Sequence, residues 1–89
     1  MPLRLGQNLA MPRYYFDTHD AEWQHRDEEG LELPGLDAVQ AEVMRALPEM
    51  ARSVIRGDGN RREISADVRD EAGRLVYTAR LSLDGRRVG

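Results

Sequence analysis

The stretch "LPGLDAVQAEVMRALPEMARSVIRG", residues 33–57, decides how the rest of the chain is read. Val39, Val43, Leu47, Met50 and Val54 recur at steps of four and three, which draws one apolar stripe down a helix. Asp37 stands where an N-cap belongs, Gln40 follows three residues on as in a capping box, and Leu36 is placed as a hydrophobic staple. Gly57 after Arg56 supplies a stop, so the pattern predicts a helix over residues 38–56. Glu42 with Arg45, and Glu49 with Arg52, belong to its solvent side. Pro48 is discordant, because it has no N–H for the Met44 carbonyl; a kink is expected there.

Both flanks of this helix alternate with the period of strands. On the N-terminal side "RYYFDT" places Tyr14, Phe16 and Thr18 on one face and Arg13, Tyr15 and Asp17 on the other. "HDAE" reads as a turn and "EWQHR" as a short return strand, which makes a hairpin; "DEEG" is a second turn, with Gly30 suited to a positive φ. On the C-terminal side, beyond the turn "GDGN", "REISADVRD" directs Ile64, Ala66 and Val68 inward. "EAGR" closes a second hairpin, and "LVYTARLSL" sends Leu75, Tyr77, Ala79, Leu81 and Leu83 to one face.

The fold class implied is α+β, as a ββαββ chain. A right-handed return of the helix over the first strand gives a four-stranded antiparallel sheet of order 2-1-3-4 with the helix on one face and the other face wet. Residues 11–84 are expected to form this single domain, residues 1–10 a flexible N-terminal extension before a natural start at Met11, and residues 85–89 a flexible C-terminal tail. A chain of 89 residues buries roughly 64% of its unfolded surface, enough for one modest core.

Composition narrows the chemistry. Without cysteine there is no disulfide framework, thiolate metal site or thiol nucleophile. No apolar run has the length of a membrane span, and the N-terminus lacks the pattern of a secretory leader, so a cytoplasmic protein is expected. All 13 basic residues are arginine, a bias that GC-rich coding explains better than selection for bidentate contacts. The net charge of −3 is unevenly placed, with eight acids and one base between Asp17 and Asp37. That local acidity disfavours a duplex-binding surface.

Three groups of residues are candidates for a site. The acidic segment "DTHDAEWQHRDEE" holds both histidines, and on a hairpin His19 and His25 are expected to approach each other, with Asp17 and Asp20 as further oxygen ligands for a divalent ion. A solvated hairpin carries the same residues, and no established metal spacing is present, so no metal or other cofactor is implied. On the wet sheet face Arg13, Tyr15, Arg69 and Arg80 form a candidate partner-binding surface, although Asp17, Glu63 and Asp67 share that face and would repel phosphate. Finally, the last strand leaves an open sheet edge guarded by little beyond Arg80, which invites pairing with another chain. No catalytic residue stands out: there is no phosphate loop, no nucleophile elbow and no carboxylate marked as buried.

From Met11 onward the chain resembles a family of small bacterial domains of unknown function, common in nitrogen-fixing and related alphaproteobacteria. The resemblance rests on Met11, Pro12, Arg13, Tyr14, Tyr15 and Phe16, on the acidic turn and G-x-E-L-P segment from Asp27 through Gly30, Leu31, Glu32, Leu33 and Pro34, and on Ala38 and Ala41. It covers about residues 11–83. The family usually has Gly where Ala21 stands here and usually Asp where Gly35 stands. It has no assigned activity, so the resemblance supports a domain boundary and implies no catalytic residues.

These readings point to a non-catalytic protein-interaction or adaptor module, binding itself as a homodimer or another protein. The alternatives are a nucleic-acid-associated regulator using the open sheet face, and a metal-binding protein or metal-dependent enzyme at the His19/His25 hairpin. Nucleic acid is the less favoured partner on charge, and no membrane partner is implied.

Overall fold

The computed structural model describes residues 11–20, 22–54 and 61–89, with only the backbone course of residues 53, 54, 61 and 62. The expected extension at residues 1–10, the helix stop at Gly57 and the "GDGN" turn lie outside the described residues. The chain forms β1 (Arg13–His19), β2 (Gln24–His25), β3 (Leu31–Glu32), α1 (Leu36–Val54), β4 (Arg61–Arg69) and β5 (Leu75–Asp84). It is an α+β fold, one helix on an open antiparallel sheet.

The sheet is larger than the four strands the alternation suggests. Its main path runs β2-β1-β4-β5, and β3 pairs with β1 off that path, so the element order is βββαββ. β2 and β3 are two residues each and lie against the two halves of β1: His25 opposite Thr18 and Gln24 opposite His19, then Leu31 opposite Tyr14 and Glu32 opposite Arg13. They behave as one edge strand interrupted by the acidic turn. The Leu33 N–H extends the pairing by donating to the Pro12 carbonyl at 3.0 Å.

Helix α1 begins earlier than the capping pattern suggests. The Val39 N–H donates to the Gly35 carbonyl at 3.1 Å, which places Asp37 inside the first turn, where its charge faces the positive end of the dipole. Pro48 lies within the helix and does not end it. Both Pro48 and Met44 are on the exposed side, so water reaches the carbonyl that Pro48 leaves without a donor.

The core forms where α1 meets the sheet, chiefly across β4 and β5. Val39, Val43, Leu47 and Ala51 from the helix meet Tyr14, Ile64, Ala66 and Val68 from the strands, with Phe16, Trp23, Leu33, Met50 and Tyr77 packed around them. Ala51 takes a buried place that spacing alone assigned to its neighbours, because period 3.6 lets the stripe drift as the helix advances.

A bulge corrects the reading of β5. Val68 faces Tyr77, but Arg69 faces Leu75, so Val76 is the extra residue. The insertion exchanges faces at this end: Val76 packs against the core while Leu75 is exposed, the reverse of simple alternation. Beyond the bulge the expected phase holds, with Leu81 opposite the buried Ile64 and Leu83 opposite Arg62, but both leucines are exposed.

Candidate functional site

Register assigns the outer face of the sheet row by row. Tyr15 stands opposite Arg69, Asp17 opposite Asp67, which faces Thr78, and His19 opposite Ser65, which faces Arg80. Arg13, Tyr15, Arg69 and Arg80 therefore share this face, but they do not act as one group. Arg13, Tyr15 and Arg69 gather at one end with the acidic turn, whereas Arg80 lies two rows away beside His19 and Ser65.

The gathered end is held by two carboxylates. Arg69 donates from Nε to Asp17 Oδ2 at 2.7 Å and from Nη2 to Asp17 Oδ1 at 3.2 Å, and its Nη2 also reaches the Asp27 carbonyl at 2.9 Å. Its guanidinium carbon sits 4.9 Å from the centre of the Tyr15 ring, within cation–π range. Asp27 fills the gap between β2 and β3. Its Oδ2 accepts the Phe16 N–H at 3.0 Å, and its Oδ1 accepts the N–H groups of Glu29 and Gly30, each at 3.1 Å. The Asp27 N–H in turn donates to Asp17 Oδ1 at 2.9 Å. A side chain thus takes the place of missing strand backbone, so that the β1 edge is not left with an idle donor.

Gly30 is required in this arrangement. It has φ +74°, and a Cβ there would meet Arg13 Cγ at 2.8 Å, Tyr15 Cε2 at 2.9 Å and the Tyr14 carbonyl oxygen at 3.0 Å. Arg13 closes the turn from outside, donating to the Glu29 carbonyl at 2.6 Å and pairing with Glu32 at 3.0 Å.

Partial burial pushes the Asp17 carboxyl up, but the Arg69 hydrogen bond, the Asp27 N–H and the Arg69 charge outweigh it and hold the group below its ordinary value. For Asp27 burial also pushes up, and the N–H groups of Phe16, Gly30 and Glu29 bring it below the ordinary value despite the neighbouring Asp17 charge. The Arg69 guanidinium is pushed up, first by its hydrogen bond to Asp17. Each shift favours the charged form, the form that the pairing of Arg69 with Asp17 and the N–H contacts of Asp27 use.

The histidines do not approach each other. Because His25 pairs with Thr18, it shares the helix-side face, whereas His19 lies on the outer face with its Nε2 3.6 Å from Asp67 Oδ2. Asp17 is engaged by Arg69, and Asp20 organises the turn, its Oδ1 accepting the N–H groups of Glu22 at 2.7 Å and Trp23 at 3.0 Å. Among the described residues no three His, Asp or Glu side chains converge on a common point.

The role of Asp27 is the feature that residue patterns missed, although a signal for it was present. Asp20, Asp27 and Asp70 each accept the N–H of the residue two places on, the Asx turn that a short acid favours. "DEEG" and "DEAG" both end on a glycine with positive φ, Gly30 and Gly73.

These features define a small α+β sheet domain whose outer face is tied together by arginine–aspartate pairing. The family model described as "Domain of unknown function (DUF6894)" matches residues 13–82, from the first residue of β1 into β5, and the chain belongs to that family. Comparison with curated proteins and with solved structures gives no match. Among the described residues no helix is long and apolar enough to cross a membrane.

Proposed function

We propose that this domain is a non-catalytic interaction module that associates with a second copy of itself through the free edge of β5. The observation that carries this reading is the edge itself: β5 is ten residues long, is bonded to β4 on one side, and has no described strand on the other. A row of open N–H and C=O groups of that length pairs readily with another strand. The usual guards are sparse. β5 has no proline, one arginine, and the exposed apolar residues Leu75, Leu81 and Leu83.

The charge of Arg80 selects among two-fold antiparallel registers, because directly opposed residues lie on the same face. A two-fold axis at Arg80 would set it against its own symmetry mate. An axis at Ala79 instead sets Thr78 opposite Arg80 of the partner subunit and Tyr77 opposite Leu81 of the partner subunit, an uncharged pair and an aromatic–aliphatic pair. The outer face supports phosphate binding less well, since its arginines stand among Asp17, Asp67 and Glu32.

Light scattering over a concentration series tests the proposal. The expected result is a dimer mass that falls to the monomer on dilution, and a monomer at all concentrations for the double variant Leu81→Lys, Leu83→Lys with unchanged circular dichroism. A wild-type mass equal to the monomer throughout rejects it.

A further inference from the structure

The side of α1 towards β1 and β2 leaves a cleft of about 310 Å³ between helix and sheet. Val43, Leu47 and Met50 form its helix wall, and Phe16 and Ala66 its sheet wall. In this apolar setting stands Thr18, 9% exposed and one of the residues that line the cleft, and its hydroxyl makes no hydrogen bond among the described residues. A buried hydroxyl without a partner is unfavourable, and a native fold that retains one directs attention to what bonds it.

The rim limits the chemistry of that partner. Asp27 and Glu42 lie at the cleft beside His25, so an anionic ligand would meet carboxylate charge. Neither acid is idle: Asp27 holds three N–H groups, and Glu42 pairs with Arg45 at 2.7 Å. With their oxygens engaged, they are poor ligands for a cation. The volume is of the size that holds a small organic molecule, and the walls are apolar with one polar point, the usual make-up of such sites.

We infer that this cleft binds a neutral small molecule, apolar over most of its surface and carrying one oxygen that hydrogen-bonds the Thr18 hydroxyl. The site lies at the β1 side of the sheet, away from β5, so the inference does not depend on strand pairing.

The test uses 1-octanol as probe and octanoate as its charged counterpart, followed by amide chemical-shift titration of the full chain. 1-Octanol is expected to give saturable shifts at Phe16, Thr18, Leu47 and Ala66, and octanoate weaker ones. Thr18→Val keeps the shape and removes the hydroxyl. It is expected to leave the melting temperature unchanged or higher, because an unpaired hydroxyl is lost, and to weaken 1-octanol binding about fivefold, the worth of one hydrogen bond. Ala46→Phe, which fills the cleft from its helix wall, should abolish the shifts. Linear shifts with no saturation, equal affinity of Thr18→Val, octanoate binding as tightly as the alcohol, or a large loss of stability in Thr18→Val would each overturn the inference. The last outcome would mean that the hydroxyl already has a partner in the fold.

Discussion

Arg69 and Asp17 are 52 residues apart in the chain and form a 2.7 Å ion pair across the diagonal of two strands. They are not directly opposed: Asp17 faces Asp67, and Arg69 faces Tyr15. Two acids facing each other across a sheet repel, and the diagonal arginine offsets that repulsion while Asp67 accepts the Thr78 hydroxyl at 2.8 Å. Because Arg69 also bonds the Asp27 carbonyl, one guanidinium ties β4, β1 and the acidic turn together.

Replacing Arg69 with lysine keeps the charge and loses the planar fork. An ammonium cannot reach both Asp17 oxygens and the Asp27 carbonyl with the same geometry, nor stack on Tyr15 in the same way. Arg69→Lys should lower the urea midpoint. Arg69→Met should lower it further, because it leaves Asp17 unpaired. Equal stability of all three proteins would show that the pair is only a surface contact.

Gly30 and Gly73 separate backbone strain from crowding. Both have positive φ, +74° and +85°, but a Cβ at Gly73 meets nothing within 4 Å, whereas one at Gly30 meets β1. Gly73→Ala should therefore cost about 1–2 kcal/mol, the penalty of the left-handed conformation alone. Gly30→Ala carries that penalty and must also push the acidic turn off Arg13 and Tyr15. A larger loss at Gly30 than at Gly73 in urea unfolding is expected, and the reverse order would contradict the close approach.

Acid should loosen the same turn. Asp17 and Asp27 both have carboxyls held below the ordinary 3.8 in the folded protein. Groups depressed by folding contribute stability that is complete above the unfolded value and is lost as pH falls through the folded ones. Melting temperature should therefore drop on acidification below about pH 4. In Asp27→Asn the drop should be shallower and the stability at neutral pH lower. An acid limb identical to wild type would place the titrating groups elsewhere.

Much of the fold follows from periodicity. The stripe on α1 and the alternation of β1 and β4 were legible because long segments repeat their pattern often enough to define a face. β3 was not, since Leu31 and Glu32 offer only two residues and pair because the acidic turn delivers them to β1. The bulge was not, because "LVYTARLSL" alternates without a break and only the pairing of Arg69 with Leu75 shows that its phase slips. The separation of His19 from His25 depends on one register: with Thr18 opposite His25, residues of equal parity on the two strands lie on opposite faces. Asp27 shows the same limit at the site, for its type announces a turn, but the Phe16 N–H it serves is brought there by the fold.

Pro48 supplies the last expectation. It lies inside α1 with no N–H for the Met44 carbonyl, on the side of the helix where Met44 is 63% exposed. Water relieves part of the loss, but proline remains the poorest helix former, and alanine restores the missing bond without disturbing the buried stripe of Val39, Val43, Leu47 and Ala51. Pro48→Ala should raise stability by about 1–2 kcal/mol, short of the full interior penalty of about 3 kcal/mol because the site is solvated. The urea midpoint should move up with an unchanged slope. A lower midpoint would mean that the ring of Pro48 makes favourable contacts in α1 that the exposed position does not suggest.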